Sequence, residues 1–297
     1  MTAGKTSVFD AIETRFPGLI AEVRRSIRDS ERAYQGGDDK SDSYLWEHTM
    51  HVASIADQLA QCEKIDPLIP VVAALFHDAG KFAEGQYHAE GTIEETESAR
   101  IAERLLRKCG MKQSGRNQVL AGLKALYNEN VRKNRLAAIL HDADFLSKFG
   151  ALGVAGFFIK STLRGRTLRL SVLGYLSKEL TYAACLPLNM HTACGKKLAD
   201  RKSRDSLRFF RSLLAELKES RIANLTIRRL SVPSGSARNG LLSIRLVVSP
   251  ECLECGAKWD MAWTTEKGVK CHRLCVNWSC VHCGNRLETS FCLPEIA

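Results

Sequence analysis

No segment of the 297-residue chain approaches twenty consecutive apolar residues, and its first residues lack the charged-then-apolar pattern of a secretory signal. The expectation is a soluble, cytoplasmic protein with no membrane partner. There is no polybasic tail, and no dense basic–aromatic stretch of the kind that grips a nucleic-acid strand. The net charge of +10 is modest for this length; it suits an anionic substrate and permits nucleic acid without requiring it. Up to residue 220 nothing alternates with period two for long, so that part reads as all-α. Eleven cysteines are present, but seven of them fall between Cys252 and Cys292, a clustering unlike a disulfide framework spread over a small secreted domain.

The most informative segment is Ala-Leu-Phe-His77-Asp78-Ala-Gly-Lys81. An apolar run gains nothing by ending in His-Asp, because burying both polar groups costs several kcal/mol unless something pairs them. A divalent metal pairs both. His48 lies on the apolar stripe of its own helix, with Val52, Ile55 and Leu59 following at helical spacing. Asp144 shares a face with Leu136 and Leu140, whereas Asp142 points away from it and is the weaker candidate. Imidazole and carboxylate suit an open catalytic site for Zn, Mn, Fe, Co or Ni. His48, His77, Asp78 and Asp144 are the expected ligands.

This pattern resembles the HD superfamily of metal-dependent phosphohydrolases, named for the adjacent His and Asp. Within it, the chain is most similar to a small bacterial branch of nucleotide phosphohydrolases. That branch carries segments like Asp142-Ala-Asp144-Phe-Leu-Ser-Lys-Phe-Gly150-Ala-Leu-Gly153-Val and Met190-His-Thr192-Ala-Cys-Gly-Lys-Lys-Leu198-Ala-Asp-Arg201. The resemblance covers roughly residues 40 to 217. It implies one divalent metal (Mn, Fe, Co, Ni, Zn or Mg) and water as the nucleophile, with Asp78 both ligating and orienting that water. Lys81, one turn beyond His77, could reach a phosphate oxygen, and Arg164 and Arg166 (with Arg169) could meet nucleotide phosphates. The chain departs from the family in His51, where an arginine is usual. It also has Glu94, Glu95, Glu97 and Leu126-Tyr127-Asn128 in neighbourhoods where relatives place extra histidines. That argues for a single metal.

Helical patterns run over residues 8–35, 46–63, 67–80, 90–109, 114–129 and 133–148, with two more between 171 and 219. After Arg221 the character changes to β-branched runs at 225–232 and 241–248, with shorter strands at 259–265 and 286–291. The expected organisation is an all-helical HD domain, 1–220 with its core at about 40–217, followed by a small β-rich, zinc-ribbon-like domain, 221–297. In the latter, Cys252-Leu-Glu-Cys255-Gly256 and Cys280-Val-His-Cys283-Gly284 are two copies of one chelating turn, and the four thiolates would hold one structural zinc. Cys271, Cys275 and Cys292, with His272 and His282, remain over for a second metal site, an exchanged ligand or an iron–sulfur cluster.

The expected function is a metal-dependent phosphohydrolase acting on a phosphorylated small molecule, in the first place a nucleotide. The alternatives are a regulatory nucleotide- or nucleic-acid-binding protein and an HD-type nuclease, either using the zinc ribbon to engage a protein or nucleic-acid partner.

Overall fold

The computed structural model describes residues 7–35, 43–82, 94–128, 130–233, 240–267 and 271–294. It is mainly α-helical with a small C-terminal sheet region, and it separates into two compact units. The first comprises Met1–Ser147 with Met190–Gly195, the second Lys148–Asn189 with Lys196–Ala297.

The first unit begins with α1 (Val8–Arg15) and α2 (Leu19–Gln35). The apolar periodicity predicts one continuous helix over 8–35, but Pro17 and a left-handed Gly18 (φ 78°) break it after Phe16. Ser7 caps α1, its hydroxyl accepting from Asp10 N at 3.1 Å. The helix carrying His48, α3 (Tyr44–Cys62), is capped by Ser43, whose oxygen accepts from Trp46 N at 3.0 Å. The Ser43 hydroxyl in turn donates to the buried carboxylate of Glu31 on α2, which fixes where α3 starts. At the centre, α4 (Leu68–Phe76) is apolar all round and almost wholly buried. It packs against α3, against α5 (Glu94–Lys108) and α6 (Gln113–Ala125), and against α7 (Arg135–Ser147).

The second unit holds α8 (Gly150–Leu163), α9 (Leu168–Cys185), α10 (Ala193–Glu219) from Lys196 onward, and two antiparallel sheets. Strands β1 (Thr226–Pro233) and β2 (Leu241–Val248) pair with Leu230 opposite Ile244. Strands β3 (Asp260–Lys267), β4 (His272–Ser279) and β5 (Arg286–Cys292) form the other sheet, with Met261, Trp278 and Leu287 abreast. The sequence pattern signals neither α8, which starts in a Gly-rich stretch, nor β4.

The boundary expected near residue 221 does not match this division. Val172, Leu173, Leu176 and Leu180 of α9 and Phe210, Leu214 and Leu217 of α10 share one core with Leu242, Ile244, Leu246, Val276 and Trp278 of the strands. Polar contacts tie α9 to both sheets: Val247 N donates to Ser177 Oγ at 2.8 Å, and the Thr289 hydroxyl donates to Gly174 O. The shift from helix to strand near residue 221 is a change of secondary structure, not of core.

Two disulfides join Cys62 to Cys194 in the first unit and Cys271 to Cys292 in the second. The second of these takes Cys271 and Cys292 out of the pool of spare metal ligands. Among the described residues, no helix is long and apolar enough to cross a membrane.

Candidate metal centres

The apolar run of α4 carries the chain into the core and ends at Phe76, so His77 and Asp78 emerge in a tight turn that stays buried (2% and 6% exposed). His77 Nδ1 lies 2.8 Å from Ala74 O. A carbonyl can only accept, so the proton sits on Nδ1 and the Nε2 lone pair is left for a cation. His48 Nε2 of α3 is 3.3 Å from His77 Nε2, 3.5 Å from Asp78 Oδ2 and 3.3 Å from Asp144 Oδ1 of α7. His77 Nε2 is 3.6 Å from Asp78 Oδ2. Metal–donor bonds of about 2.1 Å place neighbouring donors about 3.0–3.5 Å apart. His48, His77 and Asp78 thus fit a common cation, and Asp144 approaches from the His48 side.

Electrostatics favours the charge states a cation needs. Burial lowers the His48 pKa, against the pull of Asp144 and Asp78, so the ring is a neutral ligand. Burial opposes ionisation of Asp78, but the Lys81 ammonium outweighs it and holds the carboxyl below its usual range. The Lys81 ammonium contacts Asp78 Oδ2 directly and lies 3.7 Å from Glu94 Oε1. Burial disfavours its charge, yet the two carboxylates raise its pKa. Glu94 is itself pushed up by burial, with Lys81 working the other way.

The supporting groups are less legible in the sequence. Asp142 does point away from the cluster, as its helical phase implies, but it is fully buried. Its carboxylate accepts from His191 N (2.9 Å), Thr192 N (2.8 Å) and Thr192 Oγ1 (2.7 Å), anchoring the segment before α10. A Cβ on Gly195 would lie 2.3 Å from Asp142 Oδ2, which is why the Thr192-Ala-Cys-Gly195 run ends in glycine. Asp142→Ala should therefore cost about 2–4 kcal/mol by orphaning buried donors. Chemical denaturation would show the loss, with the metal content of the folded protein unchanged.

Gly80 has a similar origin. Its N–H donates to Ser98 Oγ at 2.9 Å, Ser98 Oγ donates to His77 O at 3.1 Å, and an added Cβ would meet Glu94 O and Ser98 N at 2.6 Å. The His77–Asp78 turn thus rests directly on the backbone of α5. Gly80→Ala should destabilise by about 1–3 kcal/mol, and a thermal melt beside an activity assay should show Tm and activity falling together. The hydroxyls of Tyr127, donating to Asp144 Oδ2, and Ser147, 3.5 Å from His48 Nδ1, complete the surroundings. Tyr127 lies in a neighbourhood that the resemblance singles out, whereas nothing in the sequence marks Ser147.

The second cluster lies in the second unit. The turns at Cys252–Cys255 and Cys280–Cys283 have matching backbone geometry: Gly256 N donates to Cys252 O and Gly284 N to Cys280 O, both at 3.0 Å. Each glycine is left-handed, at φ 73° and 71°. Cys252 Sγ lies 3.6 Å from Cys283 Sγ and Cys255 Sγ 3.6 Å from Cys280 Sγ, all four within 4.8 Å. Zinc–sulfur bonds of about 2.3 Å in a tetrahedron separate sulfurs by about 3.8 Å, so the donor set fits zinc. The backbone N–H groups of Cys255 and Glu254 lower the Cys252 thiol, while the crowding thiols push Cys283 up, so the four sulfurs do not ionise together without a cation among them. Cys275 is a free thiol on β4. Arg164 and Arg166 also belong to this unit, where they line a basic cleft with Lys160 and Lys178.

Residues 45–121 match the family model of the HD domain. Solved structures share the fold. A HD-superfamily hydrolase from Bacillus thuringiensis is 19% identical, with a TM-score of 0.50 over 71% of this chain and 99% of its own. A predicted HD superfamily hydrolase from an uncultured Thermotogales bacterium is 23% identical, with a TM-score of 0.49 over 71% and 99%. Bacillus subtilis YpgQ in complex with ADP is 18% identical, with a TM-score of 0.48 over 67% and 97%. No curated protein matches the sequence. The HD-domain match covers residues 45–121, and the likeness to the Bacillus thuringiensis structure is one of fold.

Proposed function

We propose that this protein is a metal-dependent phosphohydrolase whose substrate is a nucleotide or a related phosphate ester or anhydride. The observation that carries the reading is the convergence of His48 Nε2, His77 Nε2, Asp78 Oδ2 and Asp144 Oδ1, brought from two helices and one turn to separations of 3.3–3.6 Å along the chain of contacts. His48, His77 and Asp78 would hold one divalent ion, with Asp144 completing the donor set beside His48. Bound there, such an ion supplies a water of lowered pKa and offsets phosphate charge.

The protein supplies the rest. Asp78, kept ionised by Lys81, accepts a hydrogen bond from the attacking water and orients it. Lys81, held charged between Asp78 and Glu94, offers an ammonium to a phosphate oxygen as negative charge develops. Glu94, 3.7 Å from the Lys81 ammonium, helps to hold that group in place. In the second unit Cys252, Cys255, Cys280 and Cys283 form a zinc-ribbon-like site for one structural zinc, since four thiolates leave no open position.

The test is a screen of the purified protein for phosphate release from nucleoside mono-, di- and triphosphates with Mn, Co, Ni or Mg. Hydrolysis with at least one metal, lost in Asp78→Asn, is the expected result. Inertness toward every ester with every ion would favour a regulatory binding protein, and cleavage of single-stranded DNA or RNA alone a nuclease.

A further inference from the structure

A second feature suited to anions lies wholly within the second unit. Between α8, α9 and the edge formed by β4 and β5 is a cleft of about 390 Å³, a volume in the range of small-ligand sites. Cations enter it from each side: Lys160 from α8, Arg164 and Arg166 from the turn after it, Lys178 from α9 and Arg273 from β4. The one carboxylate among the described lining residues is Glu179, so the positive charge is far from balanced.

Two further observations narrow the ligand. The Arg166 guanidinium carbon sits over the Tyr175 ring, 3.2 Å from its centroid. That cation–π contact holds the guanidinium at the cleft, and a guanidinium there can pair with phosphate oxygens. Phe157 and Phe291, which also pack in the core of this unit, give the same cleft an apolar face. Burial and the neighbouring Arg164 and Arg166 also lower the Lys178 pKa, and burial with the nearby Arg164 does the same to Arg166. Like charges held this close gain when an anion arrives.

The geometry points to a nucleoside di- or triphosphate bound in this cleft, its phosphates on Arg166, Arg164 and Lys178 and its ring system against the aromatic wall. The role assigned to the cleft is binding. It stands apart from the activity proposed for the His–Asp cluster, and its test keeps the two separable.

The probe is ATP, titrated by calorimetry into the full-length protein without added divalent metal. Three proteins are compared: wild type, Asp78→Asn, and the double variant Arg166→Glu/Lys178→Glu. Removing one charge-assisted hydrogen bond to phosphate should weaken binding about ten- to hundredfold. The expected result is equal ATP affinity for wild type and Asp78→Asn, and at least a tenfold loss in the double variant. Unchanged far-ultraviolet circular dichroism and zinc content would confirm that the double variant is folded; if it is not, the milder Arg166→Gln should still weaken ATP. Undiminished ATP binding by a folded double variant overturns the proposal, as does no ATP binding by the wild type. Pyrophosphate binding as tightly as ATP would remove the nucleoside from the account. Binding of a short single-stranded oligonucleotide in place of ATP would assign the cleft to nucleic acid and overturn it too.

Discussion

Replacing His77 with alanine should strip the divalent ion from the first unit and lower phosphate-ester turnover by about three orders of magnitude or more. The magnitude follows from the several kcal/mol a metal contributes to transition-state stabilisation, at about 1.4 kcal/mol per tenfold in rate. His77 is the ligand with least freedom: its ring is buried, and its Nδ1–H is committed to Ala74 O at 2.8 Å, so no neighbouring donor can take the place of Nε2. Asp144→Ala should act in the same direction, whereas Asp142→Ala should lower stability and leave the metal in the folded fraction. The contrast separates a ligand from an anchor two residues away on the same helix. Plasma emission spectrometry of each variant, beside its rate, distinguishes them. Full metal occupancy in His77→Ala would show that the ion sits elsewhere.

Ending the chain after Ser220 should collapse or aggregate the second unit's helices instead of releasing a well-folded helical protein. Leu173, Leu176 and Leu180 of α9 and Leu214 and Leu217 of α10 would be stripped of the strands that complete their core. Uncovering a buried aliphatic side chain costs about 1.5–3 kcal/mol. Four or five of them together rival the whole stability of a domain, about 5–15 kcal/mol. Removing the zinc by Cys280→Ser should push the same way, because Cys252 and Cys280 are themselves part of that core and metal binding is folding free energy at such sites. Size-exclusion chromatography and circular dichroism of the 1–220 fragment decide the matter. A monomeric fragment melting in one cooperative step, with the helix content of residues 1–220 intact, would restore a boundary near 221.

The His–Asp centre is legible in the sequence because its ligands obey helical phase. His48 continues the stripe of Val52, Ile55 and Leu59, and Asp144 that of Leu136 and Leu140, so inward-facing polar residues stand out against an apolar face. The cysteine knuckles are legible because their spacing and trailing glycines repeat. What the sequence hides is what long-range contact decides. Asp142 reads as an outward carboxylate, and only the return of His191 and Thr192 shows it to be an internal cap. Strand β4 is too mixed in composition to declare itself, yet Leu274, Val276 and Trp278 are buried by their neighbours on either side. Glu94 reads as one of a solvated acidic run, and proximity to Lys81 across the fold singles it out.

The most direct test of the account is an anomalous difference map, at the manganese edge, from crystals of the full-length protein grown with manganese. The account predicts one peak in the first unit within about 2.3 Å of His48 Nε2, His77 Nε2 and carboxylate oxygens of Asp78 and Asp144. A manganese peak away from these side chains, or none at saturating manganese, would contradict it.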